Sequence, residues 1–257
     1  MLSIFTPVFE SVWKRKETKI FLAFAILFPT LFFATTFAPK GSNFMVPTVY
    51  DGYLMSYVAI SSLIFDASVS FILPTLALFY LTFTVFRGEV DSHTMFLYKD
   101  INRRSILGAK LLSLFMIIVM YMGLFLLIMC FYYYIRIGHM DYATMTFWDH
   151  IDPTSNTAFI HTVLTGIFDM IVSVLLAACL SLYKGVGVTM TFSFVYSIGS
   201  AIAGVLGFSW LFPRRDVNFL YDGGSLAVSL GTSTLVTLIY ASLLVFLSLK
   251  FFKRMEY

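Results

Sequence analysis

Charge is what this sequence has least of. Lysine, arginine, aspartate and glutamate together make up 12% of its 257 residues, about half the share of a soluble domain. Apolar residues make up 59% and aromatics 18%. A soluble fold of this size leaves too much surface in water to hide that apolar load. Cysteine is scarce too. Cys130 and Cys179 both stand inside apolar runs, no CxxC pair occurs, and the two read as small buried hydrophobes. The net charge of +3 is scattered rather than gathered on one stripe, which excludes nucleic acid as a partner. Composition shifts, long polar linkers and internal repeats are missing as well. What remains is one integral membrane domain over residues 1–257, with no soluble catalytic domain.

Six apolar runs are long enough to cross a bilayer: about 20–38, 57–86, 111–135, 159–183, 186–208 and 227–251. None alternates with a period of two, so a β-barrel is excluded. The expected fold is therefore an all-α polytopic membrane protein with six transmembrane helices. The second run is over-long, and Pro74 is expected to kink it. Lys14–Lys19 followed by an apolar run has the outline of a signal peptide, but Pro39 follows the candidate cleavage residue Ala38, and the run is read as a retained span. With a cytoplasmic N-terminus, 13 of the 17 basic residues fall on cytoplasmic segments; only Lys40, Arg136, Arg214 and Arg215 fall outside. Both termini are then cytoplasmic.

Residues 1–19 precede the first span. Phe5, Val8, Phe9, Val12 and Trp13 recur at helical spacing and Lys14, Arg15 and Lys16 follow, the pattern of an interfacial helix on the inner leaflet, in contact with membrane lipids. Thr6 is expected to cap it, with Pro7 at the first helical position.

The cytoplasmic loop from Arg87 to Lys110 is far longer than a connection requires; Lys184-Gly185 makes the next cytoplasmic turn in two residues. It mixes Glu89, Asp91, Lys99, Asp100, Arg103 and Arg104 around an apolar knot, Met95-Phe96-Leu97-Tyr98. Exposed apolar residues in a charged loop fit a partner surface. The alternative is a solvated loop anchored to lipid phosphates.

This segment resembles the loop between the second and third spans of ABC-2 type transporter permeases. Gly88-Glu89, Thr94, Met95–Leu97, Arg103-Arg104, Ile106-Leu107 and Gly108-Ala109-Lys110 match its pattern. His93 and Asp100 depart from it, standing where Gly and Pro are frequent. The closing Phe251-Phe252-Lys253-Arg254-Met255-Glu256, the six spans and the N-terminal helix are also similar to the family. The resemblance implies a type V exporter-like fold with a cytoplasmic coupling helix between spans 2 and 3, in a bacterial cytoplasmic membrane. It implies the transmembrane subunit of an ATP-driven exporter, paired with a second permease copy or paralogue and two separate ABC ATPase subunits. This chain carries no GxxxxGK[ST] loop, so ATP and Mg would be held by the partner, and no cofactor is expected here. In the coupling loop, Met95, Phe96, Leu97 and Tyr98 are expected to insert into the ATPase. Glu89, Asp91 and Arg104 are expected to brace the loop against the N-terminal helix, with Arg103 and Lys110 completing the charged set.

Two acids stand inside spans. Asp66 and Asp169 each lie about 15 Å deep by helical rise, where a carboxylate costs at least about 2.5–3.5 kcal/mol. No Lys or Arg lies within the spans at that depth, so protonation or serine hydroxyls are the expected relief. Either they mark a substrate path, together with Phe65, Phe71, Ser197 and Ser200, or they are hydrogen bonds between helices. Small residues at four-residue spacing along the fifth span, such as Ser193-Ser197-Ala201 and Gly199-Ala203-Gly207, fit close packing within one subunit, a subunit interface or a path lining. Phe131-Tyr132-Tyr133-Tyr134 reads as an aromatic belt. His139, His150 and His161, with Asp141, Asp149 and Asp152, read as a solvated outer loop. Arg214-Arg215-Asp216 falls in a stretch that is often a short re-entrant helix pair in the family, with Gly223-Gly224 allowing a turn.

An intramembrane enzyme is disfavoured: there is no HExxH motif, and no histidine lies in the later spans to activate Ser200. The expected cargo is an amphipathic or hydrophobic molecule, first a cationic peptide such as a bacteriocin or toxin, then small drugs or lipids. A non-transporting immunity or sensor scaffold is the remaining alternative.

Overall fold

The computed structural model describes residues 2–39, 47, 53–91 and 103–254. The described residues are almost wholly helical, with one isolated bridge between Met55 and Ala143. In chain order the helices are α1 (Leu2–Lys14), α2 (Lys16–Thr35), α3 (Tyr57–Ser70), α4 (Ile72–Asp91), α5 (Arg103–Ile135), α6 (Pro153–Tyr183), α7 (Val186–Val205), α8 (Asn218–Tyr221) and α9 (Leu226–Arg254). Single 3-10 turns lie at Ile137–His139 and Ser209–Leu211.

Five of these helices are long and apolar enough to cross a bilayer, and six spans result if the bent pair α3–α4 counts as one. Large apolar side chains such as Leu127, Val205, Leu238 and Phe246 stay exposed on their outer faces, the surface that lipid suits and water does not. This is the architecture of an α-helical membrane protein. The central helix is α6, which packs against α9, α4, α3, α5 and α7.

The second apolar run is broken rather than kinked. Pro74 has no N–H to donate to the carbonyl of Ser70, and its ring crowds that carbonyl. The helix stops at Ser70, Phe71 takes extended dihedrals (φ −72°, ψ 133°), and α4 restarts at Ile72 with a bend of 62°. The expected kink therefore lies one turn before the proline.

The helix at the N-terminus also differs from expectation. It starts at Leu2, so Pro7 lies inside it and Thr6 does not cap. Val8 and Val12 are buried, and α1 lies along α5. Phe5, Phe9 and Trp13 stack in a ladder beside that seam, with centroids 5.7 and 6.4 Å apart.

Two ends of the bundle can be distinguished. At the α1 end, the Arg15 guanidinium donates to the Thr84 carbonyl (2.9 Å), and the buried Lys110 ammonium donates to the Val85 carbonyl (2.8 Å) over the Phe86 ring. These cations grip α4 near its last turn. Lys110 thus points into the bundle and not onto a docking face. Arg104 is exposed, and α4 runs through Glu89 to Asp91. The knot Met95–Tyr98 lies outside the described residues, as does any coupling helix formed by it; Arg103 is the first residue of α5.

At the opposite end, residues 53–58 and 142–149 form a clasp. Backbone bonds run from Met55 to Tyr142, from Thr144 to Met55, from Tyr57 to Thr146 and from Val58 to Phe147. Asp149 is buried at its centre rather than solvated. It accepts from Tyr53 Oη (2.7 Å), Ser56 Oγ (3.3 Å), Ile151 N (3.0 Å) and Asp152 N (2.8 Å). Burial alone pushes its carboxyl up, but those four donors outweigh it and hold the group below the usual carboxylate range. Burial pushes the Tyr53 phenol up. Tyr133 is fully buried, its hydroxyl shared between the Met55 and Thr144 carbonyls, while Tyr132 stacks on Phe33 at 4.3 Å. Of the expected aromatic belt, Tyr133 is therefore core and Tyr132 half-buried, while Phe131 and Tyr134 remain exposed.

Candidate functional site

The helices α6 and α7 form an antiparallel pair joined at Lys184-Gly185. Their lengths differ. The 31 residues of α6 rise about 46 Å and the 20 residues of α7 about 30 Å. The chain thus leaves α7 about 16 Å short of the clasp end and covers residues 206–225 without a long helix. Two contacts fix this stretch at depth. Tyr240, about 21 Å along α9, donates to the Leu211 carbonyl at 3.0 Å. Arg215 donates to Thr232 Oγ1 at 3.0 Å. The turn back into α9 uses Gly223, with φ +88°, and Gly224, where a Cβ would lie 2.4 Å from the Phe219 carbonyl. The turn that Gly223-Gly224 allows is present; in place of a helix pair the stretch holds a 3-10 turn at Ser209–Leu211 and the single helical turn α8.

The α3–α4 break faces this stretch across α6, and between them lies a cavity of about 240 Å³. Non-helical backbone at bilayer depth is tolerated where it lines such a cavity. Asp66, Ser70 and Thr75 line it from the broken pair, Asp169 from α6, Tyr196, Ser197 and Ser200 from α7, and Arg214 to Asp216 from the connecting stretch.

The Asp66 carboxylate pairs with Arg214, whose Nη2 also donates to the Asp66 carbonyl (2.9 Å) and Ser70 Oγ (3.0 Å). This overturns the expectation that no basic residue reaches this acid. The physical reason is the early end of α7, which brings a connecting arginine down to the C-terminal end of α3. That end carries unpaired carbonyls and the negative pole of the helix, both of which favour a cation.

Asp169 has a different environment. It is 7% exposed, and its Oδ1 accepts from Tyr196 Oη at 2.6 Å. No cation within hydrogen-bond distance of it occurs among the described residues. The buried Ser197 hydroxyl has no partner in the protein either, while Ser200 Oγ bonds back to the Ser197 carbonyl. Asp216 is occupied with capping Asn218, and Arg215 stacks on Phe219 at 4.0 Å.

Four of the expected path residues, Asp66, Asp169, Ser197 and Ser200, therefore share one cavity. Phe65 and Phe71 do not. Phe65 is buried with its ring 5.2 Å from that of Phe125 and pressed onto Gly166, where a Cβ would lie 2.5 Å away. Phe71 is exposed and meets the edge of Phe28. Arg214, Arg215 and Tyr196 join the cavity unannounced by the sequence.

His161 was also misplaced by sequence reasoning. It lies two turns into α6, buried, with Nε2 2.8 Å from Ser229 Oγ of α9 and Nδ1 without a partner in the protein. The pair links the two helices that pack most extensively, and neither residue lines the cavity. An apolar groove of about 440 Å³ lies beside the cavity, formed by Trp210, Leu211, Leu235, Val236, Ile239 and Tyr240. No family model, curated protein or solved structure matches the chain.

Proposed function

We propose that this chain is the transmembrane subunit of an ATP-driven ABC-2 type exporter, moving an amphipathic or hydrophobic molecule with energy supplied by a separate ATPase. The observation that carries the reading is the joined broken helix. Its α4 half leads at the α1 end straight into the loop that resembles a coupling segment, and Arg15 and Lys110 hold that end to the rest of the bundle. Its other end opens onto a polar cavity. A push delivered on the loop by ATP-driven closure is thus relayed by a stiff helix to the place where a substrate would sit.

In this reading the N-terminus and the loop are cytoplasmic, the membrane is the cytoplasmic membrane, and a second permease completes the assembly. The cargo is amphipathic or hydrophobic, with cationic peptides, small drugs and lipids as the classes to be separated. The test is co-purification with an ATPase, followed by transport in proteoliposomes. Glu89→Lys is expected to leave ATP hydrolysis largely intact while transport falls. Transport at the wild-type rate in that variant would remove the loop from the mechanism.

A further inference from the structure

The polar cavity and the apolar groove share one wall. Within the Ser209–Leu211 turn, Ser209 lines the cavity while Trp210 and Leu211 line the groove. Arg215 lines the cavity and donates to Thr232, which lines the groove. A molecule with a polar head and an apolar tail can therefore occupy both compartments by passing over a single turn of backbone.

The charge of the cavity selects the head. Three acids and two arginines line it, so one negative charge is left over when all are ionised. Asp66 is neutralised by Arg214, and Arg215, the next residue in the chain, balances Asp216, whose carboxylate also accepts from Asn218. The surplus therefore falls on Asp169, whose one hydrogen bond comes from a neutral phenol. A buried carboxylate without a cation is costly, and a ligand cation relieves that cost. The unpartnered Ser197 hydroxyl beside it offers an acceptor for an ammonium N–H. The volume of about 240 Å³ is below the range for a drug-sized ligand and admits a head group rather than a folded or extended peptide.

We propose that this is a binding site for a single-chain amphiphile with one ammonium head, the ammonium on Asp169 and Ser197 and the chain along Trp210, Leu235 and Ile239. Calling that molecule cargo rests on the permease reading; the binding itself does not.

Trp210 supplies the reporter. The other two tryptophans, Trp13 and Trp148, are partly exposed, and W13F/W148F leaves Trp210 as the one tryptophan, excited selectively above the tyrosine absorption. The protein, in lipid nanodiscs without any ATPase, is titrated with a bromine-labelled dodecylamine and with the matched bromine-labelled alcohol. Bromine on the chain quenches only a nearby indole. The amine is expected to quench saturably, with an affinity about tenfold or more above the alcohol, the worth of one charge-assisted hydrogen bond. D169N is expected to erase that preference while leaving the alcohol curve in place. G231L, at a groove-lining position where a new Cβ meets nothing within 4 Å, is expected to weaken both ligands by filling the groove. Equal quenching by amine and alcohol in the parent protein overturns the proposal. An amine preference retained in D169N overturns the role of Asp169, and an unchanged G231L titration overturns the groove. If D169N does not fold, G231L and the amine-to-alcohol ratio still decide. Failure to find an ATPase partner would sink the permease reading and leave these titrations unaffected.

Discussion

Replacing Arg214 with methionine removes a guanidinium that touches three oxygens at once. One is the carboxylate of Asp66, and the others are the Asp66 carbonyl at 2.9 Å and Ser70 Oγ at 3.0 Å. A hydrogen bond to a charged group contributes about 1.5–3 kcal/mol. The three contacts do not add, because one nitrogen with two hydrogens serves them all. The Asp66 side chain is 45% exposed and that of Arg214 21%, which places the pair between a surface bridge and a fully buried one. R214M should therefore cost about 2 kcal/mol. D66N keeps an amide oxygen, the backbone carbonyl and Ser70 as acceptors, and should cost about 1 kcal/mol. In the double variant the arginine is gone and no carboxylate is stranded, so the loss should stay near 2 kcal/mol, a coupling of about 1 kcal/mol. The assay is reversible unfolding of purified protein in mixed micelles, titrated with a denaturing detergent and fitted for all four members of the cycle. Losses that add within about 0.5 kcal/mol would show that the two residues do not act on each other, and the account of the cavity would fall with them.

Two further outcomes follow from the packing. The Asp149 carboxyl is held below its ordinary value, so its contribution is fully present above the unfolded carboxyl pKa of about 3.9 and is lost as the pH falls through the lower folded value. D149N should thus cost about 1–3 kcal/mol at neutral pH, with the gap to wild type closing below about pH 4 in thermal melts across pH; a gap that widens in acid would contradict the assignment. Gly166→Ala places a methyl 2.5 Å from the Phe65 ring, a ring itself wedged against Phe125, so overpacking should cost about 1–3 kcal/mol in the same unfolding assay, and an unchanged midpoint would mean that Phe65 moves aside freely.

The extent of the helices was legible because apolar length is a local property. The runs at 111–135, 159–183 and 227–251 lie inside α5, α6 and α9, which extend past them because polar residues such as Arg104, Ser155 and Lys253 continue a helix as readily as apolar ones. The cavity was half legible. Asp66 and Asp169 stand out in apolar runs, and their four-residue neighbours on the fifth span share one helical face. Arg214 did not stand out. It is 148 positions from Asp66, and a count of basic residues by loop assigns every non-helical arginine to water. Only the early end of α7, made by the left-handed Gly207 (φ +77°) with the Phe208 N–H returning to the Ala203 carbonyl rather than by a hydrophobicity boundary, reveals where that arginine goes. His161 was misread because it stands at the very start of the apolar run, beside the polar loop residues His150 and Asp152, whereas α6 begins at Pro153, capped by Asp152, and carries it two turns into the helix. Asp149 and Tyr133 look like surface residues because nothing local announces that two separate loops will close over them.

The break at Phe71 divides one span into two beams with separate foundations. α3 hangs from the clasp through Met55, Tyr57 and Val58, and α4 is set in the opposite footing by Arg15 and Lys110. Across the joint runs no i to i−4 bond from Pro74 to Ser70, so stiffness there depends on side chains, with Arg214 as the strut on the α3 side. A structure loaded at one footing and fixed at the other yields at its least reinforced joint. Any load applied to the α4 footing is therefore dissipated as rotation beside Asp66, and the strut that must slip to allow it is an ion pair that water or a charged ligand can loosen.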